Sequence, residues 1–198
     1  MIDTSVATVT LTSLSPMTHS RQHDAPRLEK ESPDDYDRRT WREKLHVEDR
    51  NGKRTVVIPA MALHQAIAAA AKYSKKQIVG QGKATWTAKF ASGIMIPENP
   101  ALNIDPETLQ NVTISANADG VRGSGKRVTR RFPVIPAWTT TFEVYILDTI
   151  ITEEIFTEMV EIAGMFIGIG QYRPQNWGTN GRFKVSRIVW QDNRRFAA

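Results

Sequence analysis

Residues 6–14, VATVTLTSL, alternate branched apolar and polar side chains with the period of two that marks a half-buried strand, and Ser15-Pro16 ends it. Residues 55–58 predict a short strand, and Pro59 stands where helices accept proline. The run AMALHQAIAAAAK at 60–72 then predicts a helix whose small alanine face suits close packing on a sheet. Strands are expected at 84–96 and 111–116. TTTFEVYIL at 139–147 alternates again, and Thr152 caps a helix reaching about Phe166 with Glu153 and Glu154 in its first turn. FKVSRIVWQ at 183–191 is the final alternating strand. Strand, helix, strand, repeated once, predicts an α+β chain. It is a ferredoxin-like (RRM-like) split βαβ sheet with both helices on one face, a single domain over 1–198. Two stretches interrupt it. Residues 17–53 are charged and rich in Pro and Asp, and are expected as a solvated polar excursion with a short strand or helix near 41–47. Residues of about 98–137 form an insertion in which 120–131, rich in Gly and Arg, is the tip or flank of a protruding hairpin.

Composition narrows the classes. The 198 residues are 40% hydrophobic, enough for a core, and they contain no cysteine, which excludes a disulfide scaffold, thiol catalysis and thiolate metal sites. No apolar run reaches the roughly 18 residues of a spanning helix, and residues 1–6 lack a signal-peptide pattern. The expectation is a soluble cytoplasmic protein that does not engage membranes. The 26 Lys and Arg exceed the 21 Asp and Glu by five, and the placement of that excess matters more than its size. Residues 121–131 carry Arg122, Lys126, Arg127, Arg130 and Arg131 with no acid, and further basic residues gather at 72–89 and 173–195. Acid concentrates at Glu153, Glu154, Glu158 and Glu161. Such segregation predicts a polyanion-binding face, and the open face of a ferredoxin-like sheet with its flanking loops suits single-stranded nucleic acid.

Candidate motifs sharpen the choice. Gly120 to Lys126 matches G-x-x-x-x-G-K, but Arg127 stands where a nucleotide-binding loop needs Ser or Thr, and Pro133 and Pro136 prevent the following helix. The same residues suit an arm that approaches a phosphate chain. Gly168-Ile-Gly170 follows a helix and has Arg173 in place of a third glycine, so it is no dinucleotide fingerprint. Around it, five glycines between 164 and 183 surround Tyr172, Arg173, Trp177 and Arg182, a pattern fit for backbone NH groups and cations at phosphates and for aromatics stacked on bases. His19, His23 and Asp24 follow the first strand. Their spacing needs a helix to bind metal, which Pro16 and Pro26 make short at best, and no Cys or third clustered His is at hand, so no metal and no cofactor is expected. The three remain candidates for acid–base work in RNA cleavage, Asp24 also through a bound metal, or for polar ligand contact. His64 lies in the alanine-rich helix and reads as a packed or capping residue. Asn111-Val112-Thr113 carries no weight as a glycosylation acceptor without a secretion signal.

Leu14-Ser15-Pro16-Met17 at the end of the first strand, VIPAMALHQAI at 57–67 opening the helix, and GIG at 168–170 with GTNGRF at 178–183 together resemble the RAMP superfamily. These are the RNA-binding proteins of CRISPR effector complexes, built on ferredoxin-like folds with a C-terminal glycine-rich loop. The resemblance spans nearly the whole chain and is nearest to the backbone subunit that polymerises along guide RNA. It implies a thumb that crosses the RNA (Arg122, Lys126, Arg127, Arg130, Arg131). Further contacts are implied from the loop after the first strand (His19, Arg21), from the first helix (His64, Lys72) and from the glycine-rich loop (Tyr172, Arg173, Arg182), to which the motif analysis adds Trp177. The chain departs from the pattern in its short length and in Gln65 and Ala68, where basic residues are often found. The expected partners are single-stranded RNA, copies of the same chain stacked head to tail, and other effector subunits. Two alternatives stand beside this: an endoribonuclease of the same superfamily using His19 or His23, and a phage single-strand DNA-binding or annealing protein.

Overall fold

The structure, a computed structural model, describes residues 4–117, 125 and 127–194. Strand β1 (Thr4–Ser13) turns Ala7, Val9 and Leu11 into the core and Thr8, Thr10 and Thr12 to the other face. Next come β2 (Met17–Thr18), helix α1 (Pro33–Thr40), a 3-10 turn (Trp41–Lys44) and a hairpin of β3 (Val47–Arg50) and β4 (Lys53–Val56). Helix α2 (Ala60–Ser74) is followed by α3 (Thr87–Ser92) and β5 (Ile94–Met95). A long hairpin of β6 (Gln110–Asn117) and β7 (Arg127–Ile135) leads to β8 (Thr139–Ile146), α4 (Glu153–Ile162), a π turn (Ala163–Ile167) and β9 (Phe183–Arg194).

The main sheet has the order β5-β8-β1-β9 with every pair antiparallel. That is the order two interleaved β-α-β units produce, with α2 in the first crossover and α4 in the second, and the ferredoxin-like expectation holds. Leu63, Ile67, Phe156, Met159 and Val160 are fully buried between the two helices and the sheet. Each such side chain contributes about 1.5–3 kcal/mol of transfer free energy. Thr152 caps α4 by accepting the Ile155 N–H, as the sequence predicted. The opposite face of the sheet carries hydroxyls paired with one another, Thr10 with Thr141 at 2.9 Å and Thr12 with Ser186 at 2.8 Å, rather than a row of aromatic platforms. Among the described residues no helix is long and apolar enough to cross a membrane.

Two expectations need correction. Residues 84–96 are not one strand: Thr87–Ser92 are helical and only Ile94–Met95 pair. Trp86 and Phe90, both buried, are four residues apart, which is the helical spacing that brings their rings to 6.3 Å. Nor is 17–53 a solvated loop. Met17, Thr18, Asp37, Thr40, Trp41 and Leu45 are buried in it. Its charges cluster because they pair: Ser32 caps α1, and Arg39 binds Glu31 at 2.8 Å.

The two insertions pack on each other. β2 pairs with only Val134 and Ile135 of β7, so the rest of that strand edge needs partners. Asp37 supplies one by accepting the Arg131 backbone N–H, and Lys44 Nζ donates to the Arg131 carbonyl at 2.7 Å. Asp37 and Lys44 also pair with each other, at 2% and 12% side-chain exposure. Arg131 closes the set by binding Asp34 at 2.8 Å.

Candidate nucleic-acid interface

Three segments that are distant in sequence meet at the N-terminal end of α2: the loop after β1, the helix itself and the glycine-rich loop at 168–182. Backbone bonds stitch them together. Gln171 N–H donates to Thr18 O at 2.9 Å, Thr18 Oγ1 donates to Gln171 O at 2.8 Å, and Gly181 N–H donates to Pro16 O at 2.8 Å. Many of the loop's NH groups are therefore spent internally, which corrects the expectation that its glycines present the backbone to phosphates. The glycines serve close packing instead. A Cβ on Gly178 would stand 1.7 Å from Tyr172 O, and one on Gly181, at φ +73°, 1.8 Å from Ile169 O.

Along α2 this junction opens into three adjoining hollows. The first, about 370 Å³, is bounded by His19, Ser20, His46, Gln171, Arg173 and Asn176. The second, about 220 Å³, shares Ala62, Ile169, Gly170 and Arg173 with it and adds Gln65. The third, about 720 Å³, shares Ala69 and Gln175 with the second and is bounded by Lys72, Tyr73, Lys75, Phe166 and Trp177. Together they form one groove beside a helix roughly 20 Å long. No Asp or Glu lines any of the three. A separate hollow at the β5–β8 side contains both Glu98 and Glu143.

At the first end, the His19 ring is 3% exposed and edge-on to His46 at 5.1 Å. Burial and the neighbouring His46 lower its pKa to about 3. Burial and Arg21 also lower that of His46. Near neutral pH His19 is thus an uncharged imidazole with no imidazolium to act as a general acid. His23 stacks on Tyr36 at 6.1 Å, away from the groove, and Asp24 is exposed. At the far end, Tyr73 and Phe166 stack at 5.4 Å with both rings exposed, and Trp177 is 87% exposed. The π turn after α4 places Phe166 there, an instance of a π turn redirecting side chains at a site.

The remaining sequence candidates are distributed. Arg21 is exposed, its N–H bonded to Lys44 O at 2.9 Å. His64 is half-buried on α2. Arg182 Nε donates to Met165 O at 3.1 Å, which ties the loop to the π turn. Tyr172 meets Phe132 of β7 edge-on at 5.8 Å, and burial raises its pKa. Arg130 lies on the same side of β7 as Phe132, while Arg127 binds the Ser115 carbonyl across the hairpin at 2.6 Å. Arg122 and Lys126 lie outside the described residues. Sequence reasoning missed His46, Gln171, Tyr73, Lys75 and Phe166. Of these, Tyr73 and Lys75 were legible as an aromatic beside lysines at the end of the predicted helix.

No protein-family model matches the chain, and no curated protein matches it. Solved structures do. Cmr6 from Pyrococcus furiosus superposes on 93% of this chain and 100% of its own, with a TM-score of 0.50 and 13% identity. A chain of the Type III-B Cmr-beta complex bound to cognate target RNA covers 96% of this chain with a TM-score of 0.47 and 10% identity. This chain spans 61% of the length of that one. A chain of a CRISPR RNA-guided surveillance complex covers 94%, at a TM-score of 0.45 and 9% identity, and this chain spans 67% of it. The likeness to Cmr6 establishes a shared fold.

Proposed function

We propose that this chain is a non-catalytic subunit that binds single-stranded RNA in the groove along α2 and stacks head to tail on it, coating guide RNA in a CRISPR-like effector complex. One observation carries the proposal: the groove has Arg173 at its near end, Lys72, Lys75 and three exposed aromatics at its far end, and no acidic residue in its lining. In this reading Arg173, Lys72 and Lys75 neutralise phosphates, and Trp177 with the Tyr73–Phe166 pair offers stacking surfaces. The β6–β7 hairpin crosses the strand with Arg122, Lys126, Arg127 and Arg130, and Arg131 holds that hairpin to α1. His19, Arg21, Tyr172 and Arg182 shape and line the near end. Effector subunits of other kinds complete the assembly.

Fluorescence anisotropy with a labelled single-stranded RNA tests the site. Arg173→Glu and Lys72→Glu are each expected to weaken binding about tenfold and to reduce the salt dependence, uniformly across sequences. Lys184→Glu, with the same charge change on strand β9, serves as the control and is expected to weaken it no more than about twofold. Equal losses in all three variants contradict the groove. Equal affinity for DNA of the same sequence favours the single-strand DNA-binding alternative.

A further inference from the structure

The helices cover one face of the main sheet, and residues that point from the other stay in solvent: Thr139, Thr141, Lys184, Ser186 and Arg187 are all exposed. Lys184 pairs with Thr12 and Arg187 with Thr10, so both cations share the face of those threonines, about 7 Å apart along the strand. Neither makes an ion pair with a described residue. Nor does this face suit a nucleic-acid strand. Its hydroxyls bond one another, and Tyr145, the aromatic among its described residues, is half-buried with its hydroxyl donating to Glu143 at 3.4 Å, so no stacking row is offered.

Helix α4 presents the complementary surface on the opposite side of the molecule. Phe156, Met159 and Val160 are its buried stripe, and Glu154, Glu158 and Glu161, at i, i+4 and i+7, run for about 10 Å down the side turned away from it. Glu158 is bonded to Lys76, while Glu154 and Glu161 make no ion pair with a described residue. Sheet cations and helix carboxylates belong to the same half of the molecule. Phe156 packs on Trp190 of β9 from the helix side, ring centroids 5.9 Å apart, and Lys184 and Arg187 leave β9 on the other side. A copy translated roughly perpendicular to the sheet therefore sets its cations over the acidic stripe of the next.

We infer that the open sheet face of one copy docks on helix α4 of a second copy, with Lys184 and Arg187 against Glu154, Glu158 and Glu161. The contact joins two different faces, so it repeats without closing and leaves one face of each kind free at the ends of the array. Like charges repel in the reversed pairings, sheet on sheet or helix on helix, and this fixes a single direction for the stack. The inference rests on the proposed stacking along RNA and assigns the surfaces that carry it.

The test compares labelled single-stranded RNAs of about 10 and about 60 nucleotides by fluorescence anisotropy on the full chain, at about 0.15 M salt. The variants are Lys184→Glu with Arg187→Glu, Glu158→Lys with Glu161→Lys, and the chain with all four changes. The wild type is expected to bind the long strand more tightly per copy than the short one, because neighbours dock on each other. Each two-residue reversal turns attraction into repulsion across the contact and should cut that advantage about tenfold, with short-strand affinity within about twofold of wild type. The four-residue reversal restores opposite charges and should recover the advantage to within about twofold of wild type. A two-residue reversal that leaves the advantage intact, or a four-residue chain that fails to recover it, overturns the inference while the RNA reading stands. So does a sheet-face reversal that weakens the short strand about tenfold, which makes that face an RNA contact. A wild type with no long-strand advantage overturns the stacking and the inference with it, and one that binds neither strand overturns the RNA reading itself.

Discussion

His19 illustrates how one residue changes meaning between sequence and structure. As a histidine in a loop after a strand it is a candidate for catalysis or ligand contact, and the chain alone does not say whether water reaches it. Packing against His46 under the glycine-rich loop buries it and lowers its pKa from 6.5 to about 3. The unfolded chain therefore takes up a proton near pH 6.5 that the folded chain refuses until about pH 3. Stability from this residue is complete above about 6.5 and declines as pH falls through the window, by about 1.4 kcal/mol per pH unit. His19→Gln removes the titrating group. Thermal melts from pH 7.5 to 4.5 should show a wild-type midpoint that falls more steeply than that of the variant, and parallel curves contradict a buried neutral imidazole. Trp177 is the reverse case: its surrounding glycines and arginines suggested an exposed stacking residue, and exposed it is.

At the scale of elements, what the sequence disclosed depended on periodicity. β1, α2, β8, α4 and β9 were legible because each buries one face against the same core, so the alternation or helical repeat runs its full length. α3 was hidden because six residues are too few for a repeat to declare itself, and Phe90 with the capping Trp86 fits a strand as well as a helix turn. α1 was hidden for a different reason. Its residues, PDDYDRRT, are polar throughout, and the helix is held by a Ser32 cap and by ion pairs to a hairpin about a hundred residues away. That lock makes a prediction. Asp37→Ala leaves Lys44 without its buried partner and the Arg131 N–H without an acceptor, so it should cost about 3–5 kcal/mol of stability. Hydrogen exchange should accelerate first at β7, if Asp37 ties the arm to the body. Protection lost evenly over the whole sheet, or not at all, contradicts the lock. The same contacts account for part of the charge in residues 17–53: Asp34, Asp37 and Lys44 bind the second insertion, while most of the other charged side chains there face solvent.

The whole molecule combines a ferredoxin-like body, a basic hairpin braced by the first insertion, and a groove along α2 free of acidic side chains. The fold was readable in the order of elements and agrees with the likeness to Cmr6. The groove was readable only in fragments, since its walls come from residues near 19, 46, 65–75 and 166–177, and no local pattern reports that these converge. In the proposed reading, a groove the length of one helix spans few nucleotides, so firm binding on a long strand calls for neighbours that share it. Heterologous contacts that do not close extend such an array along the strand. Native mass spectrometry of the full chain with single-stranded RNAs of increasing length, from about 10 to 60 nucleotides, addresses this most directly. The account predicts that the number of protein copies rises in equal steps, one more copy for each fixed increment of nucleotides. A single copy on every RNA regardless of length, or no retained RNA at low salt, contradicts it.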